Sequence, residues 1–338
     1  MMIKGINLRI MLLAIISVAF LAVGCKKDTK ESLLGDWQER SDFDGIPRSD
    51  AVGFAINGNG YVGTGYDGAN RLADFWEYNV EKNYWMQKAD FPGAARNGAV
   101  GFGIADKGYI GTGFDGVNKL NDFWEFDPAN NKWEQKADLI GAGRYSAVGF
   151  AINDKGYIGT GYDGNYLKDF YEYSPSSDTW KKIIFNGSKR RDAAAFVING
   201  KGYLVSGIDN GSYESEFWAY DQSSGEWTQL RDITNSDVNN DYDNNYETIT
   251  RMSGVGFSIN GKGYLVSGSG SSLVNNVWEY DPATDLWKEK TSFEGSTRTE
   301  AVGFGIGNYG YLSTGRSSSY YFDDIWVFDP NAVYDESQ

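Results

Sequence analysis

The chain reads as an all-β protein, a six-bladed β-propeller in which each blade is made of four short strands. Three observations predict this. A unit running 36 or 37 residues from an Arg to a Trp recurs along the chain. The composition suits strands, with 16% aromatic residues, 43 Gly and only 6 Pro. A lone copy of the unit's last strand stands ahead of the first unit, where it can close a ring. Repetition at a period of a few tens of residues is the mark of stacked or radial arrays. Tyr, Trp and Phe suit pleated, half-buried surfaces, and Gly suits the tight turns between short strands.

The first residues are an address rather than a fold. Lys4 and Arg9 precede an apolar run from Ile10 to Val23, followed by Gly24-Cys25. A basic start, a short apolar stretch and a small residue at the cleavage point predict a signal peptide over residues 1–24. The run is shorter than the roughly 20 residues that span a bilayer. Leu21-Ala22-Val23-Gly24-Cys25 resembles a bacterial lipobox, with Ala22 standing where Leu is commonest. The resemblance implies a lipid on Cys25, the only Cys in the chain, with residues 25–32 as a polar tether. An ordinary signal peptide with an incidental Cys is the competing reading. The expectation is an exported protein, anchored by its lipid alone at the outer membrane or surface of a bacterial cell.

The repeats follow over residues 33–330, with 331–338 as a tail. Arg48-to-Trp85, Arg96-to-Trp133, Arg144-to-Trp180, Arg191-to-Trp227 and Arg251-to-Trp287 share one pattern, and a sixth unit starts at Arg298. In the first unit Ala51 to Ile56 is a strand rich in small residues, and Asn57-Gly58 is a hairpin signal. Tyr61 to Gly65 returns, Asp74 to Tyr78 is the third strand, and Asn83 to Lys88 around Trp85 is the fourth. The sixth unit stops after Phe328-Asp329-Pro330 and lacks its fourth strand. Trp37 lies 11 residues before Arg48, as Trp85 lies 11 before Arg96, so Leu34 to Arg40 is predicted to supply it. Such a closure leaves no exposed sheet edge.

This pattern resembles the kelch repeat over nearly the whole exported chain. The first Gly of the family's Gly-Gly pair is replaced by Thr64, Thr112, Thr160, Ser206, Ser267 and Thr314, and the second is kept. The resemblance implies a shape, not a reaction. It also implies that the loops entering each first strand and those joining second to third share one face.

Composition excludes several chemistries. With no His there is no Ser-His-Asp triad, no Cys-His pair and no His-ligated metal, so a copper oxidase of the kelch kind is ruled out. A single Cys allows no intrachain disulfide. The formal charge of −15 argues against nucleic acid as a partner.

Candidate site residues lie on the loop-bearing face. Arg48, Arg96, Arg144, Arg191, Arg251 and Arg298 recur once per unit and could bind carboxylate or phosphate by paired hydrogen bonds. An Arg repeated identically in every blade is more simply a brace, paired with acids such as Asp74, Asp122, Asp169 and Asp324. Two residues after each Arg stand Asp50, Gly98, Ser146, Ala193, Ser253 and Glu300, which differ from unit to unit as a ligand site requires. Loops such as Tyr66-Asp67-Gly68 and Phe114-Asp115-Gly116 set aromatics beside carboxylates, a pairing that suits sugars, although Asp-Gly is also turn chemistry. Between Trp227 and Arg251 the interval is 24 residues instead of 11. In that insertion Asp237, Asn239 and Asp241 alternate as calcium ligands do, but Tyr242 stands where an EF-hand needs Gly, and a solvated polar loop is the other reading. No other cofactor is indicated.

Two functions are compatible with these residues. One is a non-catalytic, monomeric binding or scaffolding module for a glycan or an envelope protein. The other is a carbohydrate-active enzyme such as a sugar-acid mutarotase or epimerase, with Asp50, Glu300 and the arginines as its working groups.

Overall fold

Alternation of small and apolar residues in the first strand of each unit sets the architecture. Val52–Ile56 (VGFAI) buries its Val, Phe and Ile and leaves Gly53 and Ala55 toward the ring's centre and its neighbours. A Cβ on Gly53 would stand 2.5 Å from Val302 Cβ of the adjoining blade, so only glycine lets these two strands approach. The computed structural model describes residues 33–234 and 246–334. Six four-stranded antiparallel sheets result, and each innermost strand lies against that of the next blade until the last meets the first. Besides strands, the described residues contain one 3-10 turn, Tyr246–Thr248.

Blade one runs outward through Val52–Ile56, Asn59–Gly63, Phe75–Asn79 and Tyr84–Gln87, and blades two to five repeat that order. Blade six combines Val302–Ile306, Tyr309–Ser313 and Ile325–Val333 with the N-terminal strand Leu34–Glu39 on its outer edge. Trp37 pairs with Phe328, stacks on its ring at 4.7 Å and meets Phe293 edge-on at 4.9 Å. The ring is therefore closed by the strand that the spacing of Trp37 predicts. The last strand reaches Val333, three residues beyond the expected boundary at 330.

Aromatic contacts seal every interface between blades. Phe75 meets Phe126, Phe123 meets Tyr173, Phe170 meets Trp227 and Phe217 meets Tyr280, all with centroids 4.7–4.9 Å apart. Tyr264–Phe328 at 5.9 Å and Tyr78–Tyr311 at 6.0 Å complete the circle. Each such pair adds about 0.5–1.5 kcal/mol to the area it buries.

The signal peptide expected over residues 1–24, Cys25, the expected tether to residue 32, and the calcium candidates Asp237, Asn239 and Asp241 all lie outside the described residues.

Candidate functional site

One arginine per blade is wholly buried. Arg48 shows the pattern: Nε donates to Ile46 O at 2.8 Å, Nη1 to Thr64 O at 2.9 Å, and Nη1 and Nη2 together grip the Asp74 carboxylate at 2.6 Å each. Arg96 holds Asp122, Arg144 holds Asp169 and Arg298 holds Asp324 in the same bidentate way. Burial works against ionisation of Asp74, Asp122 and Asp169, but the hydrogen bonds and charge of their arginines outweigh it and hold all three below the usual carboxylate range. The carbonyl that each Nη1 reaches belongs to the Thr or Ser ahead of the retained Gly. Thr64, Thr112, Thr160 and Thr314 all take a positive φ in the left-handed region, which explains why glycine favours that place.

These braces correct the ligand-binding reading of the arginines. Arg48, Arg96, Arg144 and Arg298 are fully buried, Arg251 is 1% exposed, and none reaches the channel mouth. Blade four needs a second correction. Its brace is Arg190, bound to Glu216 at 2.6 Å, and not Arg191. The sequence does hold a signal for this. The step from brace to the Thr or Ser of the strained turn is 16 residues in every blade only if Arg190 is counted. The residue two places after the brace is then Asp192, not Ala193. Blade five differs again, because Asn276 stands where its neighbours have an acid and receives Arg251 Nη2 at 2.7 Å.

With that register, Asp50, Gly98, Ser146, Asp192, Ser253 and Glu300 occupy equivalent places. All six have a positive, left-handed φ. Their backbones form a closed circle in which each N–H donates to the preceding member's carbonyl, from Asp50 N to Glu300 O at 3.0 Å around to Glu300 N to Ser253 O at 3.4 Å. This circle rims a cavity of about 150 Å3 at the channel mouth, with Ala51, Ala99, Ala147, Ala193, Gly254 and Ala301 beneath. The structure thus brings Asp50 and Glu300 together at one site and adds Asp192, which the one-residue slip in blade four conceals.

The three acids are supported differently. Glu300 takes two hydrogen bonds from Arg316, at 2.6 and 2.7 Å. Asp192 meets Arg191 Nη1 at 3.1 Å. Asp50 has only Asn97 Nδ2, donating to Oδ2 at 3.2 Å. Burial, then the charges of Glu300 and Asp192, push Asp50 up to about 8, against the opposing pull of Asn97 and Arg316. Burial likewise raises Asp192, although Arg191 draws it back.

Above this floor stands an aromatic and cationic wall. Phe114, Tyr145, Tyr162 and Tyr166 form a continuous arc with centroids 5.3–5.7 Å apart. Arg71 lies over Phe114 at 4.8 Å and Tyr66 at 5.5 Å, and Arg191 lies over Tyr162 and Tyr166. The loop aspartates serve turns. Asp67 Oδ1 accepts from Ala69 N and Asn70 N, and Asp115 repeats this with Val117 and Asn118. Among the described residues no three acidic side chains converge as a metal site requires.

Residues 189–233, which span blade four from its brace outward, match the Kelch motif. No curated protein matches the chain. The solved structure of YjhT is similar with a TM-score of 0.68 at 15% identity, covering 85% of this chain and 96% of that one. At that identity the likeness concerns the fold. The chain is thus a six-bladed β-propeller, and its fourth blade matches the Kelch motif.

Proposed function

We propose that the protein is a monomeric glycan-binding propeller, exported and held at the cell envelope by a lipid on Cys25, which takes a sugar into the mouth of its channel. The observation that carries this reading is the break in sixfold symmetry at one cavity. Three carboxyl groups, from blades one, four and six, line its rim under an arc of aromatic rings. Hydroxyls pair with carboxyl oxygens, and sugar C–H faces pack on aromatic rings. A kelch propeller is compatible with binding, scaffolding or catalysis, so the site and not the fold decides between them.

The test is a glycan array followed by calorimetry. Asp50→Ala, Asp192→Ala and Glu300→Ala should each weaken the best sugar by about tenfold or more, as loss of a hydrogen bond to a charged or buried group does. A blank array, with an envelope protein captured instead, would overturn the sugar and leave a protein scaffold.

A second reading is turnover of that sugar, as by a mutarotase or epimerase acting on a sugar acid. Its support is the contrast between Asp50, which keeps its proton at neutral pH, and Glu300, pinned by Arg316. Opening a sugar ring needs an acid at the ring oxygen and a base at the anomeric hydroxyl. Polarimetry of sugar-acid anomers decides it. Turnover must fall in both Asp50→Asn and Glu300→Gln, and rates equal to the buffer reject it.

A further inference from the structure

Asp50 is the least supported acid at the mouth, and the chain behind it is made of groups that cannot reverse their roles. Arg71, on the loop between the second and third strands of blade one, donates from Nε to Asn97 Oδ1 at 2.8 Å. An arginine only donates, so that oxygen is committed as acceptor and the Asn97 amide cannot flip. Its nitrogen therefore faces Asp50, and Nδ2 donates to Oδ2 at 3.2 Å. Arg71 is itself fixed, with its guanidinium over Phe114 and Tyr66 and with Gly116 so close that a Cβ there would stand 2.7 Å from Nη1.

We propose that Arg71 and Asn97 are positioning residues that commit Asp50 Oδ2 to accepting, so that Asp50 carries its proton on Oδ1 and donates it to the ligand. Oδ1 has no partner among the described residues. The charged and titratable groups around it are Glu300 and Asp192 across the mouth, Arg316 behind Glu300, and Tyr145 on the neighbouring wall. Two acids and deep burial outweigh one more distant arginine, and the neutral form is favoured. The mouth then offers one donor carboxyl against two acceptors. It selects a ligand that sets an acceptor-only oxygen, such as a ring or carbonyl oxygen, beside free hydroxyls. This deepens the sugar-binding reading and, for its ligand, rests on it.

The experiment needs no sugar. In protein labelled with 13C at the Asp carboxyl carbons, the Asp50 signal is identified by its loss in Asp50→Asn and followed against pH. The wild-type midpoint should lie near 8. Arg71→Met frees the Asn97 amide to turn its oxygen toward the proton and should raise that midpoint by about one pH unit. Asn97→Leu should also raise it, because the hydrogen bond that favours the ionised form is gone. Arg71 is half-buried, so its variant is the decisive one and its thermal midpoint should match the wild type. A wild-type midpoint in the ordinary range near 4, or one that Arg71→Met leaves in place, overturns the relay. A blank glycan array with a raised and shifting midpoint removes the sugar and keeps the relay. Sugar binding with an ordinary midpoint does the reverse.

Discussion

Among the described residues the buried cation of blade five, Arg251, has no acid opposite, and Asn276→Asp should supply the pair its neighbours possess. Arg251 is 1% exposed, and its five donors go to neutral acceptors: the carbonyls of Ile249, Ser267, Asn276 and Thr248, and Asn276 Oδ1. Burial draws its guanidinium down to about 9, with Glu289 pulling weakly the other way. Exchanging the amide for a carboxylate replaces neutral-acceptor bonds of about 0.5–1.5 kcal/mol each with charge-assisted ones of about 1.5–3 kcal/mol. Part of that gain is lost to desolvation of the new charge. The amide also donates to Thr248 Oγ1, but that hydroxyl can turn to donate to a carboxylate while still accepting from Trp278 Nε1. The net expectation is a gain of about 1 kcal/mol at pH 7, or roughly 2 °C in Tm for a chain of this size.

The pH dependence gives the sharper result. The new carboxylate, like those of Asp74 and Asp122, would have its folded pKa depressed, so the unfolded chain binds its proton more readily. Its contribution is then complete above the unfolded value of about 3.9 and lost as pH falls through the folded one. Paired urea melts at pH 7 and pH 3 should show a difference at the first that shrinks at the second. A variant no more stable than wild type at pH 7 refutes the idea that a carboxylate at position 276 completes this brace.

Three further outcomes follow from the same geometry. Arg96→Met removes a brace holding Asp122 and two carbonyls. It should cost about 3 kcal/mol or more in a chemical melt, whereas a loss under about 1 kcal/mol would make the brace incidental. Thr112→Gly relieves a β-branched residue in the left-handed region and removes a buried hydroxyl with no partner among the described residues. Its Tm should rise by an amount worth about 1 kcal/mol. Asp50→Asn should stabilise the fold at pH 7 by on the order of 1–4 kcal/mol. The folded chain holds that proton up to about 8 and the unfolded one releases it near 4, so stability falls as pH rises between them, and the benefit should vanish at pH 3.

Blade number and closure are legible in the sequence because they depend on spacing, and spacing follows strand length. Trp37 reveals its strand by its interval to Arg48, whatever it packs against. The mouth is harder to read because it turns on single-residue register. Lys189-Arg190-Arg191 offers two arginines, and only the distance to Ser206 separates the brace from its neighbour. Choosing the wrong one moves the ring position from Asp192 to Ala193 and hides an acid. The roles of the arginines escape for a different reason. An Arg repeated once per unit suits either a bound anion or a buried pair, and burial is a tertiary property. Arg71 and Asn97 carry no motif at all, since they meet only when two blades bring a loop and a rim position together.

The rim circle constrains which side chains can be there, and Glu300 departs from that constraint. All six members adopt a left-handed backbone, which Gly accepts freely and Asp, Asn and Ser tolerate better than longer residues do. Gly98 shows that the circle closes without any side chain. A glutamate held at positive φ costs about 1 kcal/mol that blade two avoids, and such an outlier points to use at the site. Glu300→Gly separates structure from use. It relieves the strain, forfeits a half-exposed ion pair with Arg316 worth about 0–1 kcal/mol, and loosens the unfolded chain by about 0.5–1 kcal/mol. These nearly cancel, so stability should stay within about 1 kcal/mol of wild type while sugar affinity collapses. A fall of more than about 2 kcal/mol with binding intact exceeds what a half-exposed pair contributes, and would make Glu300 and Arg316 a clamp between strands rather than part of the mouth.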